Sequence, residues 1–214
     1  MFKKLVVTIK SAFFALPMYF SSLHVKNHEF SVIYETARLW SLMFLKFLNV
    51  KVKVHHKNYI PLKDGVLFVA FNQSSIDQEI ALSTFSTPSV FYLPSEKRLF
   101  NLSKAWQKRL KSVVSPKILD EKIFKENKNI IAFVDHYDKI NDTLMEHVMK
   151  YNYPIVLLDI KNAHRALDEK PLKRLIVDVT INIPIVSEEY NGLSVKQLKH
   201  TMIERKEGNV YEHD

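Results

Sequence analysis

Gly65-Val66-Leu67-Phe68-Val69-Ala70-Phe71-Asn72-Gln73-Ser74-Ser75-Ile76-Asp77 decides how the rest of the chain is read. Val66 to Phe71 is an unbroken apolar run of strand length, the composition of a strand covered on both faces. A polar cluster then interrupts it. Asp77 opens a segment running to Phe85 that reads as a helix. A buried strand, a polar turn and a helix in that order form a place where α/β folds put chemistry. Ser74, Ser75 and Asp77 can each cap the helix, and Asp77 can equally serve a reaction.

The same alternation extends downstream. Strands are expected near Val50–Val54, Val66–Phe71, Val90–Leu93, Asn129–Asp135, Ile155–Asp159 and Leu175–Ile183. Helices are expected over Asp77–Phe85, Lys97–Leu110, Glu121–Glu126, Asn141–Lys150 and Ser194–Glu204. In the last strand Ile176, Asp178, Thr180 and Asn182 alternate with Val177, Val179, Ile181 and Ile183, as in a half-buried strand. The fold class is therefore α/β: a mostly parallel sheet flanked by helices over residues 50–205. Residues 206–214 read as a polar tail that frays.

Residues 1–49 precede this as an apolar helical arm. The stretch from Met1 to Leu23 begins like a signal peptide, but Lys10 interrupts its apolar body and no small-x-small cleavage site follows. Ser11 to Val25 is too short for a span of about 20 residues, and Pro17 lies within it. Two readings stay open: an interfacial helix with Lys3, Lys4 and Lys10 near lipid phosphates, or a helix that covers the core. Residues 29–49 are apolar nearly all round, which calls for burial in protein or contact with lipid. Together the two segments read as a membrane-docking arm on the cytoplasmic face.

Composition narrows the chemistry. With 31 Lys and Arg against 23 Asp and Glu, the net charge of +8 favours an anionic partner: nucleic acid, anionic lipid or a phosphorylated substrate. The absence of cysteine excludes disulfides, thiol nucleophiles and thiolate metal sites. Only three glycines occur, so no phosphate-cradling glycine loop and no Gly-x-Ser-x-Gly elbow can be written. His24 and His28 are four apart but lack a third ligand, so no metal site and no cofactor are expected.

Residues 50–190 resemble the 1-acylglycerol-3-phosphate acyltransferase family of glycerophospholipid acyltransferases. Asn58-Tyr59-Ile60-Pro61 looks like the family's Glu-Asn-Ile-Pro turn, and Gly65 to Phe71 like its apolar strand. Phe71-Asn72-Gln73-Ser74-Ser75-Ile76-Asp77 lines up without a gap on the Asn-His-x-Ser-x-x-Asp block. Phe91 to Phe100 resembles the Phe-Val-Ala-Lys-x-Glu-Leu-Phe segment. Ile130 to Asp138 falls where the family has an apolar strand ending in Phe-Pro-Glu-Gly-Thr-Arg. The resemblance implies an acyl transfer to a lysophospholipid such as lysophosphatidic acid. The donor would be acyl carrier protein, coenzyme A or acyl phosphate.

The signature residues depart from the pattern. In the family a His takes the acceptor hydroxyl proton and an Asp five positions later orients it; here those positions hold Asn72 and Asp77. A carboxamide has no basic nitrogen near neutral pH, and losing a positioned base slows a reaction by roughly 10²–10⁴-fold. Asp138 stands where the resemblance expects a phosphate-holding Arg, and Asp135 keeps the acid of that motif. Ser112 to Glu121, where a second Arg-bearing motif belongs, offers Asp120 and Glu121 instead. The resemblance therefore implies a pseudoenzyme that keeps a lipid-binding or acyl-binding cleft around Asn72, Ser74, Asp77, Asp135 and Asp138. Such a protein could also pair with an active family member. An alternative is an active lysophospholipid acyltransferase in phospholipid synthesis, with His136 as a displaced base beside Asp77 or Asp135. A third reading is a basic nucleic-acid-binding protein; scattered lysines and the lack of a recognition motif weigh against it.

Overall fold

The apolar runs become the middle of a six-stranded sheet. In a computed structural model of the chain, the described residues are 16–62, 65–71, 74, 76–93, 104–110, 121–126, 128–136, 139–167 and 174–211. The strands are β1 (Val50–His55), β2 (Leu67–Phe71), β3 (Ser89–Tyr92), β4 (Asn129–Val134), β5 (Ile155–Lys161) and β6 (Leu175–Ile181), in the order β1-β6-β5-β2-β4-β3. β2, β3, β4 and β5 run parallel, and β1 is parallel to β6. β6 lies antiparallel to β5, with Leu158 opposite Ile181.

Burial follows from position in that order. β2 and β4 are central and buried along nearly their whole length, which explains their unbroken apolar composition. β1 is an edge strand and alternates: Val50, Val52 and Val54 face the core while Lys51, Lys53 and His55 are exposed. Charged side chains along an edge discourage pairing with another chain. The start of β2 is fixed by Asn129, whose Oδ1 accepts the Gly65 and Val66 N–H groups at 3.1 and 3.0 Å. Gly65 has φ +82°, and a Cβ there would meet the Tyr153 ring at 3.2 Å, so this turn requires glycine.

Helices cover both faces. They are α1 (residues 16–24), α2 (Phe30–Phe47), α3 (Asp77–Thr84), α4 (Lys104–Arg109), α5 (Glu121–Lys125), α6 (Asp142–Lys150), α7 (Ser187–Tyr190) and α8 (Val195–Tyr211). On one face, α2 and α3 pack over Phe68, Ala70, Phe133 and Val156. On the other, α6 and α8 pack over Leu67, Val69, Ala132 and Leu157. α2 buries a stripe of Ile33, Tyr34, Ala37, Ser41, Phe44 and Leu45, the spacing of one helix face. Its opposite face exposes Val32, Leu39, Leu42, Met43 and Phe47. α1 contributes Met18 to the same core. It is tied down by Trp106 Nε1, which donates to the Met18 carbonyl at 2.9 Å, and by Arg109 Nε, which donates to the Ser22 carbonyl at 2.8 Å.

One expectation changes. The chain does not fray at residue 206: α8 continues as a helix to Tyr211. Its start is set by a reciprocal cap, with Ser194 N–H donating to Gln197 Oε1 and Gln197 N–H donating to Ser194 Oγ. Its far part is held by packing: Lys206 lies over the Phe71 ring, and Arg205 pairs with Glu189 of α7. Tertiary contact there outweighs the polar composition. Among the described residues, no helix is long and apolar enough to cross a membrane.

Candidate functional site

The described ones among the expected site residues, Ser74, Asp77, Asp135 and His136, follow the carboxyl ends of the parallel strands β2 and β4, where open α/β sheets bind ligands. β2 ends at Phe71 and β4 at Val134, and these two residues are register partners. The chain leaving β2 leads through Ser74 to α3, and the chain leaving β4 leads through Asp135 and His136. Two polar turns thus leave neighbouring strands side by side.

Asp77 is 1% exposed and is the first residue of α3. Its Oδ2 accepts the Ser74 N–H at 2.8 Å, and Ser74 Oγ accepts the Ile76 N–H at 3.3 Å. The acid therefore locks the turn backward onto itself, and it also sits where a helix N-terminus favours negative charge. Asp135 and His136 are exposed, in a turn closed by Lys139 N–H donating to the His136 carbonyl at 3.1 Å. Asn72 and Asp138 lie outside the described residues, as do residues 94–103 and 111–120, which carry most of the other motif positions.

Two residues near this crest escaped the sequence reading. The first is Glu79, two positions after Asp77 and 2% exposed. Burial raises its carboxyl to about 8, a backbone hydrogen bond lowers it, and the charge of Asp77 raises it further. Its Oε2 has no hydrogen-bond partner among the described residues. A sequence signal existed: an acid within Ile76–Leu82, a segment whose other members are mostly apolar.

The second is Lys206. Its Nζ lies 3.3 Å from the centroid of the Phe71 ring. Burial lowers its ammonium below the ordinary lysine value while Asp159 pulls it up. Nothing local in Arg205-Lys206-Glu207 marks that lysine. Among the described residues there is no group of three His, Cys, Asp or Glu able to hold a metal ion.

No family model matches the chain, and no curated protein matches it. Its structure is similar to that of the 1-acyl-sn-glycerophosphate (LPA) acyltransferase PlsC from Thermotoga maritima, with a TM-score of 0.69 and 20% identity. The superposition covers 99% of this chain and 94% of that one. At that identity the likeness establishes an acyltransferase-like fold.

Proposed function

We propose that this protein works at a lipid surface, using an acyltransferase-like fold to bind a lipid or acyl chain, with acyl transfer lost or greatly slowed. The observation that carries the reading is the apolar face of α1 and α2. Leu16 is 65% exposed, Phe20 61%, Leu39 52% and Met43 52%, on helices joined by Trp40 Nε1 donating to Ser21 Oγ. Large apolar side chains exposed in such number mark an interaction surface. Exposed Lys26 and Lys46 on the same helical region, and the net charge of +8, complement an anionic bilayer. The occupant proposed is therefore the cytoplasmic leaflet of a membrane. The slowed chemistry follows from Asn72, an amide where the resemblance places the proton acceptor.

Flotation with vesicles containing anionic lipid tests the surface. The parent should float, and Phe20→Glu with Leu39→Glu should remain at the bottom with unchanged circular dichroism. A parent that never floats ends the reading. Acyl transfer to lysophosphatidic acid tests the chemistry, with acyl carrier protein, coenzyme A and acyl phosphate donors run in parallel. Asn72→His should exceed the parent.

The second reading keeps the enzyme active with His136 as base. What favours it is the pairing of Phe71 with Val134, which sets the turn of His136 beside that of Asp77. Parent turnover that His136→Ala abolishes would establish it and remove the degenerate reading. Salt-sensitive binding of DNA or RNA without any lipid binding would favour the nucleic-acid reading instead.

A further inference from the structure

The two faces of the sheet are covered unequally. Under α6 and α8, β2, β4 and β5 supply Leu67, Val69, Ala132 and Leu157, but neither β1 nor β6 gives a side chain to that cluster. On this side β1 carries Lys51, Lys53 and His55, and β6 carries Ile176, Asp178 and Thr180, each exposed or half-buried. Asp159 and Lys161 of β5 share the parity of Leu157 and so the same side. Register joins them into one surface: Lys51 lies beside Ile176, and Asp178 lies between Lys53 and Lys161. Arg174, just before β6, is exposed.

Four cations therefore stand with two acids. Asp178 Oδ1 is 2.8 Å from His55 Nε2, and Asp159 Oδ2 is 3.7 Å from Lys161 Nζ. Asp159 also attracts Lys206 where α8 borders the surface, and Glu207 follows that lysine. Lys51, Lys53 and Arg174 have no carboxylate partner among the described residues. Ile176, 39% exposed, lies beside Lys51 and two residues from Arg174.

Sheets of this class ordinarily carry helices on both faces. An exposed isoleucine among unpaired cations complements an apolar stripe bordered by acids. α1 and α2 pack on the opposite side of the sheet, so a bilayer on those helices does not compete for this surface. The surface has no aromatic side chain on which a nucleic-acid base could stack. A second copy would set cations against cations. β6 has seven residues, which extend about 23 Å, the length of a helix of about 16 residues.

We propose that the β1–β6 half of the sheet docks an acidic amphipathic helix of a partner protein. Its apolar stripe rests on Ile176, and its carboxylates meet Lys51, Lys53 and Arg174. The proposal stands apart from the lipid-binding reading, which concerns the other side of the sheet.

Fluorescence anisotropy on the full chain tests it. The probes are a helical peptide of about 16 residues with a leucine stripe bordered by glutamates, its glutamine and lysine counterparts, and a single-stranded oligonucleotide. The parent should bind the glutamate peptide about tenfold more tightly than the glutamine peptide. Lys51→Glu with Arg174→Glu should lose that preference and bind the lysine peptide about tenfold more tightly than the parent does. Neither position faces an acid in register, and circular dichroism checks the fold. Should that pair fail to fold, Lys51→Gln with Arg174→Gln decides by losing or keeping the preference. Lys26→Glu with Lys46→Glu, an equal change in charge on the α1–α2 side, should leave peptide binding unchanged. An equal loss in that control assigns binding to net charge and overturns the proposal. So does a parent that binds the glutamate and glutamine peptides alike, or one that binds only the oligonucleotide. A parent that sediments as a dimer, dissociated by Lys51→Glu with Arg174→Glu, overturns it in favour of a second copy.

Discussion

A glutamate in the interior is an unstable tenant, and Glu79 shows why. Its carboxyl is raised to about 8 from an ordinary 4.5, chiefly by loss of water and secondarily by Asp77. An acid whose folded value lies above its unfolded one holds a proton in the fold that the open chain releases. Stability is therefore full below about pH 4.5 and falls as pH rises through that window toward about 8. In urea titrations the parent should lose on the order of 4 kcal/mol between pH 5 and pH 8.5 that Glu79→Gln retains. Parallel pH profiles for the two would refute this. Asp77 differs in having the Ser74 N–H as a donor to its Oδ2. Asp77→Ala should cost about 1–2 kcal/mol by orphaning that donor, lowering the melting temperature by roughly 2–8 °C. The sequence singled out Asp77 as either a helix cap or a reacting acid, and the structure puts it at the head of α3 with its carboxylate on the Ser74 N–H. The sequence could not separate Asp77 from Glu79, because solvation depends on what packs across from each one.

α2 carries the same lesson in helical form. Its buried stripe passes through two small residues, Ala37 at 0% and Ser41 at 1% exposure. The Ser41 hydroxyl has no hydrogen-bond partner among the described residues. Ser41→Ala should therefore hold or raise stability, by up to about 1 kcal/mol, since it removes an unmet polar group from an apolar layer. Ala37→Leu at the same packed face should lower it by about 1–3 kcal/mol through overpacking. Chemical denaturation of the pair gives both signs in one experiment. Element by element, most strands and helices were readable to within a few residues, because periodicity reports burial directly; of the helix expected over Lys97–Leu110, residues 97–103 lie outside the described residues. α8 was readable only at its start, where Ser194 and Gln197 form a local cap. Its last turns depend on Phe71 and Glu189, which are distant in sequence, so composition misjudged them.

At the scale of the molecule, the helical segment before β1 supplies core as well as surface. Met18, Val25, Ile33, Tyr34, Phe44 and Leu45 are each at most 7% exposed and share one cluster with the sheet. At about 1.5–3 kcal/mol for each buried side chain their loss exceeds roughly 10 kcal/mol, against a net stability of about 5–15 for a typical domain. A chain beginning at residue 49 should therefore fail to melt cooperatively by circular dichroism, and a sharp melt would show otherwise. Point substitutions, and not truncation, are the means of testing lipid contact. The α/β class was legible because central parallel strands need apolar runs. The turn-back of β6 against β5 was not, since pairing partners leave no mark in a single strand's composition. That same arrangement sets an order of events during synthesis. β1 leaves the ribosome first among the strands yet waits for β6, and Phe71 waits longer still for Lys206. A nascent chain halted before β6 would leave β1 without its strand partner, and one halted between β6 and the final helix would close that edge yet still leave the tip of β2 uncovered.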